Sequence, residues 1–349
     1  MTRRRRDAAS RWGRRLLAGL LAFAALAGVV WLAWQHETRA VMLAAETPAV
    51  KLVVPPGSSA EAIGRKLEEL GLVRHSLLFV ALVRARGVGG QLKAGEYALE
   101  GPLSLEGIVR VMAEGEVVRH EVTIPEGRNI EEAAALVGKA GVDAEEFLAA
   151  ARDPELIRDL DPDAEDLEGY LFPDTYHVPL ASDTARALVR RMLQRFREVV
   201  GPELTRIENK GLTVREVVII ASLVELETAA VEERPRIAGV FLNRLEKRML
   251  LQTDPTVIYA LKQEGRWDGN IRRRDLEMDS PYNTYRRPGL PPGPIGSPGR
   301  GAIRAVLDPA DTRDLYFVSR NDGTHQFSAT LTEHNRAVDR YQRRRRRGR

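Results

Sequence analysis

The sequence has no cysteine in 349 residues, so neither disulfides nor thiolate chemistry is open to it. It has no GxxxxGK[ST] and no GxGxxG, so no phosphate-cradling loop and no nucleotide cofactor are expected. The six histidines, at 36, 75, 120, 177, 325 and 334, form no HExxH and no close pair at helical spacing, and no metal site is expected. G-x-S-x-G is missing, and Ser222 lies inside a helical run instead of a strand-to-helix elbow. Among common hydrolytic and transfer chemistries, general acid/base work by carboxylates survives.

The body also lacks an excess of positive charge. The net charge is +4, but residues 1–15 and 340–349 hold seven Arg each, and without them 39 basic face 48 acidic residues. No nucleic-acid partner is expected, since such a body should carry the basic patch itself. The Arg-rich tail, 342–349, reads as solvated and attracted to anionic lipid or polymer.

Long apolar runs are scarce, with one exception. Leu16 to Trp34 is nineteen residues without a charge, long enough for a transmembrane helix. The Arg block in 1–15 predicts a cytoplasmic N-terminus, Trp31 and Trp34 suit the far interface, and the rest would lie outside the cytoplasm. A cleaved signal peptide is the rival. The length of the run and the lack of an A-x-A site favour an anchor.

The length suggests about two domains, and the patterning an α+β fold. Residues 35–50 read as a linker. VVPPGSSAEAIGRKLEELGLV (53–73) matches TIPEGRNIEEAAALVGKAGV (123–142), pairing Pro55 with Pro125, Gly57 with Gly127 and Gly71 with Gly141. Each copy predicts a strand, a Pro-x-Gly turn, an N-cap and a helix closed by Gly. A membrane-proximal α/β module is placed at 51–120, a second module at 121–180 and a mixed α+β domain at 181–341. Ser104, Asp143 and Thr332 are expected N-caps. A helix is expected from Asp183 to Val200, and another from Pro235 with Ile237, Phe241 and Leu245 inward. A hairpin is expected at Asp322-Gly323. The loop 280–301, rich in Pro, Gly and aromatics, suits a carbohydrate cleft in which rings stack on sugars and amides bond hydroxyls.

The chain is organised around Thr213 to Arg234, which reads as one buried helix. Thr213 and Glu216 have capping-box spacing. Two acids, Glu225 and Glu227, interrupt its apolar body, and a buried carboxylate needs a partner, a hydrogen bond or a proton. Two residues apart on a helix, they face opposite ways. The neighbours of Glu225 are small (Ala221, Ser222, Thr228, Ala229), which leaves a hollow for a ligand. This favours Glu225 as the working acid. The alternative is a structural carboxylate paired with an Arg. Glu227, among bulky neighbours, is expected to be structural and paired with an Arg of a neighbouring helix. Asp254 is a second carboxylate, but Pro255 after it points to a turn.

ASLVELET (221–228), LQTDPTVIY (251–259), YNTY (282–285), GLPPGPI (289–295), LYFV (315–318) and GTHQFSATLTEHN (323–335) together resemble the YceG-like family of endolytic murein transglycosylases. LEGYLFPDTY (167–176), VVPPGSS and LKAGEY match its earlier blocks. The resemblance implies non-hydrolytic cleavage of the bond between N-acetylmuramic acid and N-acetylglucosamine in nascent glycan strands, leaving 1,6-anhydro ends that terminate elongation. By motif, Glu225 is the implied catalytic residue, with Gln252, Thr253, Asn283, Tyr285, His325 and Asn335 in the cleft. It also implies a LysM-like module, best matched by the copy opening at Val122. The implied partners are peptidoglycan strands, the membrane and peptidoglycan synthases. The alternatives are a non-catalytic wall-binding scaffold and a hydrolytic muramidase using Glu225 and Asp254.

Overall fold

Both copies of the repeat fold as their turns and caps require. The computed structural model describes residues 3–39, 41–43, 48–179 and 184–343. The long apolar helix α1 runs Arg3–Arg39, and β1 (Val41–Leu43) follows. The first copy is β2 (Val50–Val54), α2 (Ala60–Glu69), α3 (Ser76–Arg86) and β3 (Gly95–Leu99), then β4 (Leu103–Ser104) and α4 (Leu105–Glu114). The second copy is β5 (Arg119–Thr123), α5 (Ile130–Lys139), α6 (Ala144–Ala151) and β6 (Thr175–Pro179). In each, the two strands pair, giving the order strand, helix, helix, strand. Gly57 and Gly127 take φ of +75° and +77°, the left-handed region that glycine enters without steric cost. Ser59 caps α2, and Asn129 with Glu132 forms a capping box on α5.

Two compact units result, one of residues 1–119 with 179–182, the other of 120–178 with 183–349. In the first, β2 and β3 pair antiparallel in register from Val50↔Leu99 to Val54↔Gly95. Leu52, Leu67, Phe79, Tyr97, Ile108 and Met112 form its core. The expected linker at 35–50 includes the end of α1 and β1, which pairs with β4 because its residues find an edge there. Gly19–Thr38 is long and apolar enough to cross a membrane; most of it is exposed, while Trp34 packs on the first unit's core and Thr38 is buried.

The second unit continues with α7 (Thr184–Val200), α8 (Leu204–Asn209), α9 (Val214–Glu227), α10 (Arg234–Glu246), α11 (Asp254–Gln263) and α12 (Arg300–Leu307). The hairpin β7 (Tyr316–Ser319) and β8 (His325–Ser328) precedes α13 (Leu331–Val338). Asp183, the expected start of α7, lies outside the described residues, as do 344–349 of the Arg-rich tail. The Thr213/Glu216 capping box forms, and α9 is buried from Val217 to Val224. Helices α8, α10, α11 and α12 pack on it.

Three expectations change. Helix α9 stops at Glu227 instead of running to Arg234, because Thr228 turns extended and its hydroxyl accepts from the Ala230 N–H. Thr330, not Thr332, caps α13, since Thr330 has the three-residue spacing to Glu333 that a capping box needs. On α10, Arg244 is buried, while Leu245 is half-buried.

Candidate active site

The early end of α9 puts both acids in its last turn, each facing a different environment. Glu225 sits on the face of Ser222. Small residues there admit the backbone of the loop before α12, so the expected hollow is filled by protein. The Ile295 N–H donates to Ser222 Oγ at 3.2 Å, and the Gly299 N–H to Glu225 Oε2 at 3.0 Å. Arg234 Nη2 donates to Glu225 Oε1 at 2.5 Å and to Glu126 Oε2 at 3.3 Å. The side chains of Glu225 and Arg234 are 6% and 9% exposed. Burial raises the Glu225 pKa, opposed by the Gly299 N–H, supported by Glu126 and opposed by Arg234. This is the arrangement of the alternative reading, a carboxylate paired with an Arg and closed in by backbone.

Glu126 was missed at the sequence level. It sits in the Pro-Glu-Gly turn of the second repeat, where the first copy has Pro56. A Cβ on Gly299 would clash with the Glu126 carboxylate, so a side chain there would push Glu126 aside. The same turn pairs with the Pro/Gly loop: Gly127 N–H donates to Ser297 O, and Ser297 N–H to Arg128 O, each at 2.8 Å.

Glu227 is half-buried as a residue, as Glu225 is, but lacks an ion-pair partner among the described residues. The Arg expected beside it contacts Glu225 instead. The Thr253 hydroxyl donates to Glu227 Oε2 at 2.6 Å. Burial raises the Glu227 pKa; the Thr253 bond lowers it, Asp254 raises it, and His325 and Arg244 lower it. A half-buried acid with a raised pKa and no salt bridge is suited to donate a proton.

The expected binding residues gather mostly on this side. Gln252, in the left-handed region at φ +48°, and Tyr285 line a cavity of about 290 Å³ with Arg244, Tyr316 and His334. Thr253 is buried, and its N–H bonds Thr284 Oγ1 at 3.1 Å. Tyr285 donates its hydroxyl to Asp254 Oδ1 at 2.5 Å. His325 Nδ1 meets Glu233 Oε2 at 2.7 Å, within electrostatic reach of Glu227. Asn283 is fully buried. Its amide N–H₂ bonds Leu276 O and Met278 O, and its oxygen accepts from Tyr285 N–H, so it braces the loop. Asn335 is exposed on α13. No cluster of three or more metal-ligating side chains occurs among the described residues.

Residues 52–340 match the YceG-like family. An endolytic murein transglycosylase of Bacillus subtilis (strain 168) is 32% identical over 308 residues, covering 84% of this chain and 84% of that protein. One of Streptococcus pneumoniae serotype 2 (strain D39) is 36% identical over 322 residues, covering 83% of this chain and 58% of that protein. A 2.6 Å crystal structure of a yceG-like protein from Listeria monocytogenes superposes with a TM-score of 0.58 at 32% identity, covering 83% of this chain and 98% of that one.

Proposed function

The chain belongs to the YceG-like family, and from that premise we propose that it is an endolytic peptidoglycan lytic transglycosylase whose acid/base residue is Glu227. The Thr253–Glu227 bond carries the choice of residue: Thr253 follows the cavity-lining Gln252 in the chain, and Glu227 has no Arg or Lys in ion-pair contact among the described residues. Glu225, the acid favoured by the sequence, is committed to Arg234 and Gly299.

In this mechanism protonated Glu227 gives its proton to the glycosidic oxygen between N-acetylmuramic acid and N-acetylglucosamine. As the bond to C1 breaks, the muramyl C6 hydroxyl attacks C1 and Glu227 takes the hydroxyl proton. A 1,6-anhydro ring forms, no water is consumed and Glu227 ends protonated. The intramolecular nucleophile gains a large effective concentration. A hydrolase would need a second carboxylate to activate water. Asp254 is the nearby acid, and its Oδ1 is taken up by the Tyr285 hydroxyl.

Helix α1 then serves as a single-pass anchor with the Arg-rich end in the cytoplasm and the rest outside, where the glycan is. Both strand–helix–helix–strand copies support a LysM-like reading of the modules, and the second lends its turn to the acid cluster. Trimming nascent strands would place the enzyme beside a peptidoglycan synthase.

Digestion of purified strands in ¹⁸O-water tests the reaction. Anhydro-muramic ends without ¹⁸O support the proposal. Reducing ends carrying ¹⁸O would indicate a muramidase, and no cleavage a binding scaffold.

A further inference from the structure

Arg244 is a buried cation that the proposed acid/base chemistry does not use. It is 8% exposed. Its Nε–H donates to Leu315 O at 2.6 Å, and Nη1 to Leu250 O and Leu251 O at 3.2 and 2.8 Å. Those carbonyls fix the guanidinium on the cavity wall, 5.2 Å from the Tyr316 ring centre. No carboxylate lies within ion-pair distance of it among the described residues. A buried charge of this kind is costly unless something compensates it. The acid nearby is Glu227, which must be protonated, and so neutral, to begin the reaction.

A second polar group in the same wall is also unsatisfied. His334 stacks on Tyr316 with centroids 5.2 Å apart, and its Nδ1 is buried without a hydrogen-bond partner among the described residues. Gln252 adds an exposed amide at the rim. The cleft therefore presents a fixed guanidinium, an imidazole and an amide, and no carboxylate is in ion-pair contact with the guanidinium among the described residues.

We infer that Arg244, with His334 and Gln252, forms a subsite for a carboxylate of the glycan substrate. The inference rests on the reading of the chain as a peptidoglycan-cleaving enzyme. A strand has two sources of that chemistry: the free carboxylates of its peptide stems and, where the stem is missing, the lactyl carboxylate of the muramyl residue. Charge-assisted bonds to a guanidinium are strong and directional, so such a contact would set the register of the strand in the cleft.

The test compares full-length enzyme in detergent on three strand preparations: peptide-bearing, amidase-denuded, and peptide-bearing with carboxylates blocked as methylamides. For the wild type, blocking should raise KM roughly tenfold or more with little change in kcat. For Arg244→Gln, KM should be high on every preparation and insensitive to blocking, and Arg244→Lys should recover part of the sensitivity. A denuded strand with low KM, beside peptide-bearing strands whose KM is high whether blocked or not, assigns the lactyl carboxylate; a denuded strand that behaves as blocked assigns the stem. Equal wild-type KM on all three preparations would overturn the subsite, and this arm needs no variant to fold. Failure of the wild type to make anhydro ends on any strand would instead sink the functional reading beneath it.

Discussion

Thr253 holds Glu227 from across the site: its hydroxyl, at the mouth of α11, donates to the carboxylate at the end of α9 over 2.6 Å. The contact fixes the acid without neutralising it by an ion pair. Because Thr253 bonds the charged form, it lowers a pKa that burial raises.

Thr253→Val therefore makes two separable changes. The acid loses its orientation, so kcat should fall about tenfold to a hundredfold with little change in KM. The pKa should also rise further. Activity needs the protonated acid and declines as pH rises through that pKa, so the alkaline limb of the kcat profile should move to higher pH. A pH–rate series checks both; a limb that moves down would contradict the assigned contact.

Glu225→Gln should be a stability variant. It leaves Arg234, 9% exposed, with only the longer contact to half-exposed Glu126. Removing one partner of a buried pair costs about 3–5 kcal/mol, and the remaining Glu126 should reduce that to about 2–4 kcal/mol. Denaturant unfolding measures the loss. Residual folded enzyme should still make anhydro ends.

Glu168 supplies a pH-dependent term. It is buried, its Oε2 accepts from Ile130 N–H and Tyr259 hydroxyl at 3.2 and 3.3 Å, and Oε1 has no partner among the described residues. Burial, opposed by the Ile130 bond and supported by Asp166 and Glu131, holds its pKa well above the ordinary value of 4.5. Above that value the unfolded chain loses this proton while the folded chain keeps it. Stability from this group is thus present at low pH and lost as pH rises toward the folded pKa. Glu168→Gln should flatten the decline, with its advantage over wild type growing as pH rises above the ordinary carboxylate range in thermal melts. An unchanged slope would contradict a protonated Glu168.

The repeat, the hairpin and the caps other than that of α13 were legible in the sequence because each strand, turn and helix start depends on residues a few positions apart. The sequence also separated Glu225 from Glu227 by helical geometry alone. Choosing between them went further than local pattern allows. The neighbour-size contrast presumes a helix that reaches Arg234; Thr228 ends it, so neither Thr228 and Ala229 beside Glu225 nor Ala230 and Val231 beside Glu227 are helical neighbours. Ala221 and Ser222 are small to admit the loop at 295–299, a contact made over more than seventy residues. Two signals were readable. Glu126 replaces a Pro between repeat copies, and Arg244 follows Ile237 and Phe241 on the apolar stripe of α10, where a charge calls for a reason.

The most direct measurement is mass spectrometry of glycan products from wild type, Glu227→Gln and Glu225→Gln at equal concentrations of folded enzyme. Loss of anhydro-muramic ends in Glu227→Gln, with Glu225→Gln still forming them, is the expected result. Full activity in Glu227→Gln, or loss confined to Glu225→Gln, would contradict the assignment.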